Sequence, residues 1–240
     1  MLSLHGSYTY NFQTSANSTH TLVPVKLSYN KLLHTTEAFD QTMQENPAIA
    51  LSFNNQFIPT SSYIFTYDTS PKQERTNRLI TQLTAVSSGN ILWGIMSLAG
   101  EKGEKKIFGT PFSQFVKGIA EFRYYYRPWE KNWIVTRLLV GAGLPYENST
   151  EMPYTEQFYI GGANSIRAFT IRSLGPGSYT PPKNDANGYF DQTGTFKFEA
   201  NIEYRFPIVG NLNGAVFVDT GNIWLLKKDE KRPGGTLQGK

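Results

Sequence analysis

The 240 residues contain no cysteine. Disulfide scaffolds, thiolate zinc sites and cysteine nucleophiles are therefore excluded. No apolar run approaches the roughly 18 residues of a membrane-spanning helix. The best stretch, Ile91–Gly100 (ILWGIMSLAG), is too short and holds two glycines. The opening MLSLHGSYTY lacks a basic segment, an apolar core and a cleavage site, so it is not read as a secretory signal. His5, His20 and His34 have no metal-ligand spacing. No Walker loop, nucleophile elbow or HExxH occurs. Gly141-Ala142-Gly143 is followed by no helical pattern and is not a dinucleotide fingerprint. No catalytic residue, metal or cofactor is expected. The net charge is +4, and its basic residues are scattered, with small mixed-sign clusters at Glu101–Lys106 and Lys227–Arg232. These read as solvated loops, and no nucleic-acid partner is expected.

What the chain has is aromatic residues and alternation. Phe and Tyr number 16 and 14, a composition suited to strands and to the aromatic girdles of a membrane barrel. The mean hydropathy of −0.39 does not argue against a membrane, because a barrel wall alternates lipid-facing with lumen-facing residues. In Leu2–Phe12 the even positions are Leu, Leu, Gly, Tyr, Tyr and Phe, and the odd ones Ser, His, Ser, Thr and Asn. In Thr195–Phe206, Phe196, Phe198, Ala200, Ile202, Tyr204 and Phe206 oppose Lys197, Glu199, Asn201, Glu203 and Arg205. Phe115–Arg127 behaves alike, with Val116, Ala120, Phe122, Tyr124 and Tyr126 opposite Lys117, Glu121, Arg123 and Arg127. A strand puts such sets on opposite faces. These runs outlast the roughly 5–6 residues usual in soluble domains and fit the roughly 9–11 of a tilted membrane strand.

Further strands are expected at Thr21–Tyr29, Gln56–Tyr67, Arg78–Val86, Asn132–Gly143 and Leu212–Trp224, eight in all. Short connections (QTSANST, SPKQERT, RPWEKN, PIVGN) alternate with long ones at Asn30–Asn55, Ser87–Ser113 and Leu144–Gly194. That rhythm is the one of outer-membrane barrels, with tight periplasmic turns and long outer loops. Within the first long connection, Lys31–Glu45 spaces its apolar residues as a short helix would and stops at Asn46-Pro47. Gly175–Gly194 is rich in Gly, Pro and Asn and is expected as loop.

Three stretches carry a resemblance. Gln157–Tyr179 (QFYIGGANSIRAFTIRSLGPGSY) has a glycine pair, Gly161-Gly162, then the tetrad Ile166-Arg167-Ala168-Phe169, then a Leu-Gly-Pro turn. Asn201–Pro207 reads NIEYRFP and Phe217–Trp224 reads FVDTGNIW. Order and spacing resemble the barrels of the BamA/TamA-type outer-membrane assembly and translocation family. The match is good over Phe115–Trp224 and rests on strand and loop rhythm before that. Ala168 stands where the family's tetrad has Gly, a departure that matters if that position needs φ > 0.

The resemblance implies an all-β fold, a fragment of an antiparallel transmembrane β-barrel: about eight of sixteen strands, roughly the sixth to the thirteenth, with long extracellular loops. Residues 1–240 form one partial barrel domain, and 144–194 are a long loop returning into the lumen. In the family the tetrad arginine pairs with acids on the inner wall of the two following strands. Strand parity independently puts Glu203 and Asp219 on the polar face, the latter with Ala215, Phe217 and Gly221, so Arg167 is expected to reach them. An unpaired carboxylate in a wall is costly. The implied function is insertion of β-barrel proteins into the outer membrane or translocation of proteins across it, without enzymatic chemistry. The implied location is the bacterial outer membrane. The implied partners are its lipid bilayer, nascent outer-membrane or secreted proteins, and periplasmic or lipoprotein accessory subunits. The family's final strands, periplasmic modules and export signal are not read here, so a fragment of a longer protein is expected. A passive porin or channel and a secreted soluble β-sandwich binding module are the alternatives.

Overall fold

The computed structural model describes residues 2–31, 36–37, 55–69, 77–107, 109–180, 192–230 and 232–237. Eight long strands form one antiparallel sheet. They are β1 (Leu2–Ser15), β2 (Ser18–Lys31), β3 (Gln56–Asp68), β4 (Asn77–Ser88), β7 (Phe115–Tyr126), β8 (Trp133–Pro145), β9 (Phe196–Val209) and β10 (Leu212–Trp224). Each pairs with its neighbour in chain order, and β1 and β10 are the two edges. Between β4 and β7 lie a helix, α1 (Asn90–Leu98), and a small two-stranded ribbon, β5 (Lys106–Ile107) with β6 (Thr110–Pro111).

Consecutive antiparallel pairing puts every long connection at one end of the sheet and every short one at the other. The strands run slightly longer than the alternation suggests, because two turns are tighter. Only Ala16-Asn17 separates β1 from β2, and Asn17 is held by its side-chain amide donating to the Asp68 carbonyl at 2.6 Å. Gly210 turns β9 into β10 with φ 56°, backbone that glycine adopts freely. The stretch Ser87–Ser113, expected as plain loop, contains α1. Of the helix expected over Lys31–Glu45, Lys31 ends β2, and residues 32–35 and 38–45 lie outside the described residues.

The register sorts the side chains onto two faces. Directly paired residues share a face, so the pairs Val218–Ile202, Ile202–Thr136 and Leu138–Phe122 extend one apolar surface across β10, β9, β8 and β7. Leu83, Tyr63, Leu22 and Tyr10 continue it to the far edge. Most of these side chains are exposed. A patch this large is unstable against water and belongs against lipid or another apolar surface. His20 belongs to this outer face, stacked on Phe12 at 4.8 Å between centroids, with Nδ1 within 2.6 Å of the Tyr63 hydroxyl. His5 meets Ser28 on the other face, and His34 lies outside the described residues. The opposite face carries the charges, and the small cores of the molecule sit there under the loop after β8: Phe158, Ile160, Ile166 and Ile223 in one, Ile58, Phe115 and Met152 in the other.

The two faces should respond differently to charge. Val218 is at the middle of β10 on the apolar face, and Val218→Arg is expected to destabilise the full-length protein by about 2–4 kcal/mol in phosphatidylcholine vesicles. Ala215→Arg, on the polar face, should cost under about 1 kcal/mol. Denaturant titration of the vesicle-inserted protein measures both, and equal losses would contradict the assignment of faces.

Candidate functional site

The described residues of the loop, 146–180 and 192–195, pack on the polar face, and the wall is shaped to receive them. Gly141 and Gly143 of β8 point to this face and leave gaps. A methyl group added at Gly141 would lie 2.6 Å from the Phe158 ring, and one at Gly143 would lie 2.4 Å from Met152 Sδ. On β10, Gly221 makes the same room for Ile160, whose Cδ1 would be 2.9 Å away. Three loop side chains thus seat over three wall glycines. Phe158 and Gly194 exchange backbone hydrogen bonds at 2.8 and 2.9 Å, and Gly143 N–H donates to the Thr195 carbonyl at 2.8 Å. The two arms of the loop are therefore tied to each other, and its end at Thr195 is tied to the sheet.

Its tip is a tight reversal at the paired glycines. Gly161 and Gly162 have φ 100° and 96°, and a Cβ on Gly161 would sit 2.2 Å from the Thr170 carbonyl oxygen. Gly162 N–H donates to the Phe169 carbonyl at 2.8 Å, and Arg172 N–H to the Ile160 carbonyl at 2.9 Å. Gly161 N–H donates to Ser165 Oγ at 3.1 Å. This closed reversal holds the tetrad at its end. Ile166 is buried with Phe158, Ile160 and Ile223. Phe169 is exposed. Ala168 is not among the residues with positive φ, so the position tolerates a Cβ, and its departure from the Gly of the resembling motif leaves the turn intact.

Arg167 lies between the two acids. Its Nε and Nη2 donate to the two Asp219 carboxylate oxygens, both at 2.8 Å, and its backbone N–H adds a third bond at 3.1 Å. Nη1 donates to Glu203. The guanidinium also lies 3.5 Å over the centre of the Phe217 ring, and hydrogen bonding to Asp219 holds it protonated well above its ordinary range. Asp219 keeps only 5% of its side chain in contact with solvent. It is completed by Asn201, whose amide donates both to Asp219 at 2.9 Å and to the Ser165 carbonyl at 2.9 Å. Arg205 donates to the remaining Glu203 oxygen at 2.5 Å. A planar fork on a carboxylate fixes orientation as well as distance.

A second ionic cluster is one that the sequence alone does not single out. Arg137 of β8 donates from Nε to Glu121 at 2.5 Å, and from Nη1 to Glu199, to Asn201 at 3.2 Å and to the Asn164 carbonyl at 3.3 Å. Glu199 is 0% exposed. It also pairs with Lys197 at 2.8 Å and accepts from Ser165 Oγ at 2.8 Å. The signal that could find it is a lone arginine inside Trp133–Val140, otherwise apolar but for Thr136, because an unaccompanied charge in a barrel strand asks for a partner. Among the described residues no group of three potential metal ligands converges.

Residues 4–238 match the family model of the Omp85 superfamily domain. The outer membrane protein assembly factor BamA of Neisseria meningitidis is 29% identical over 90 residues, which is 35% of this chain and 11% of that protein. The crystal structure of BamA from Haemophilus ducreyi lacking POTRA domains 1–3 superposes with a TM-score of 0.60 at 14% identity. That match covers 93% of this chain and 42% of the other, and it shows a shared fold. The chain spans less than half the length of either relative. The family model takes in nearly every strand as well as the loop, and on that ground the chain belongs to the Omp85 superfamily of outer-membrane β-barrel proteins.

Proposed function

We propose that the protein assembles β-barrel proteins into the outer membrane or carries proteins across it, and that its long loop is latched in a barrel lumen by Arg167. The carrying observation is the Arg167 fork between Glu203 and Asp219. It joins the tip of one connection to two neighbouring strands and stiffens the wall from inside. Such a barrel works physically rather than by covalent chemistry. A wall stiffened on one side and weak elsewhere concentrates deformation at the weak part, and an unpaired strand edge there can template an incoming strand. Its partners are the lipid bilayer, unfolded outer-membrane or secreted proteins, and periplasmic or lipoprotein accessory subunits. The BamA relatives, one of them named an assembly factor, favour assembly within this pair of functions.

The test is Arg167→Ala in the full-length protein. Asp219 is nearly out of water while Arg167 keeps a quarter of its side chain exposed. The expected loss lies between exposed and buried pairs, about 2–4 kcal/mol. Arg167→Lys keeps the charge but not the fork and should recover about half of that. In cells the Ala variant should lower the yield of folded porin, scored by heat-modifiable migration, at unchanged levels of the variant itself. Normal porin assembly with an undocked loop would remove the latch from the mechanism. A protein that conducts small solutes and supports no assembly would be a passive channel instead.

Gly141→Leu should undock the same loop without touching a charge, because the added side chain occupies the place of the Phe158 ring. Limited proteolysis is expected to cut within 158–172 in the variant and not in the parent. Sidedness is read with peptide tags in two of the long connections. Tags within residues 38–45 and between Gly100 and Lys106 should both be stained on intact cells. Staining only after the outer membrane is breached would invert the orientation.

A further inference from the structure

We infer that α1 is a membrane-interface anchor, with Ile91, Ile95 and Leu98 inserted among the lipid acyl chains at the long-loop end of the barrel wall. The reading rests on the family's membrane location and adds a contact that the strands do not make.

The helix has two unlike sides. Asn90, Trp93 and Ser97 recur at helical spacing and face the protein. Asn90 Oδ1 accepts from the Tyr146 hydroxyl at 2.6 Å and from Gln114 Nε2 at 3.0 Å. Lys105, itself buried, lies 4.1 Å over the centre of the Trp93 ring. Its ammonium donates to the Trp93 carbonyl at 3.0 Å and to Ser97 Oγ. The side chains at 91, 95 and 98 recur at spacings of four and three on another stripe. They are 65%, 59% and 92% exposed. Their apolar surface faces away from the polar contacts that hold the helix.

What covers that stripe follows from where it points. Ile91 and Leu92 line one cleft with Val25, Leu27, Pro59 and Ser87. Leu27 pairs with Pro59 in the register, and Ser87 pairs with Ser61 and Val116, so all of these belong to the apolar outer face of the sheet. The stripe therefore begins on the lipid side of the wall, beside β2 and β3, and continues it beyond the end of β4. A helix of nine residues, about 14 Å long, offers too little area for a protein partner, which needs about 800 Å² on each side. An amphipathic helix lying in the interface buries its apolar side about 5–10 Å into the boundary between headgroups and chains. Gly89 starts the helix directly from Ser88 with φ 71°, so no slack separates the anchor from β4.

The chain is cysteine-free, and with any cysteine outside it replaced by serine, single cysteines can report the contact in the full-length protein. Ile91→Cys, Ile95→Cys and Leu98→Cys are each labelled with an environment-sensitive fluorophore and reconstituted in phosphatidylcholine vesicles. Val218→Cys serves as the wall control and Lys102→Cys as the exposed control. Chains brominated near the carbonyl end are expected to quench the three helix labels, and chains brominated near the terminal methyl are expected to quench Val218, while aqueous iodide quenches only Lys102. Iodide quenching of the helix labels with a lipid-quenched Val218 would overturn the anchor and leave the barrel standing. Protection of the helix labels from both quenchers would mean a protein cover and would equally overturn it. An unquenched Val218 would overturn the membrane wall itself, and the anchor with it. Heat-modifiable migration of each variant confirms that it has folded, and three independent positions keep the result from resting on one substitution.

Discussion

Charge has to be neutralised inside a wall that is apolar on its other side, and on this sheet two arginines do it from opposite directions. Arg167 comes from the loop to Glu203 and Asp219 on the wall. Arg137 goes from the wall to Glu121 and Glu199, and on to the loop backbone at Asn164. Asn201 stands between the clusters and bonds to both. An isolated carboxylate as enclosed as Glu199 would be strongly unfavourable, and removing one partner of such a cluster exposes the others to the full penalty. The loop is thus part of the electrostatic closure of the wall, and its position follows from the placement of four acids on β7, β9 and β10.

Ionic contacts alone would not order so long a segment. Burial of Phe158, Ile160, Ile166 and Met152 against the wall adds apolar contacts to the ionic ones. Packing adds attraction without direction, and the arginines supply the register. The same division appears at α1, where Lys105 and Asn90 set the orientation of a helix whose apolar side finds its cover elsewhere.

The eight strands are legible in the sequence because their two faces differ chemically, so period two survives in a single chain. Parity alone puts Glu203 and Asp219 on one face. It does not reveal the second cluster, because Arg137, Glu121 and Glu199 are brought together only by the register between β7, β8 and β9, and nothing local in a sequence states a register. Helix α1 is hidden for another reason. ILWGIMSLAG is apolar almost throughout, so it shows neither a two- nor a 3.6-residue period, and the polar partner of its inner side, Lys105, lies beyond its end. The glycines of β8 read as an ordinary pair, since a glycine that receives a side chain looks in sequence like one that merely bends the chain.

Those receiving glycines set the geometry of attachment. A body held at one point can swivel, and one held along a line can rock about it. Gly141 and Gly143 lie two residues apart on β8, and Gly221 lies on β10 beyond the intervening β9, roughly two strand spacings or 10 Å away. Three seats that do not share a line define a plane. The loop is therefore mounted as an instrument is mounted on three feet, and while it is seated it can neither swivel nor rock on the wall.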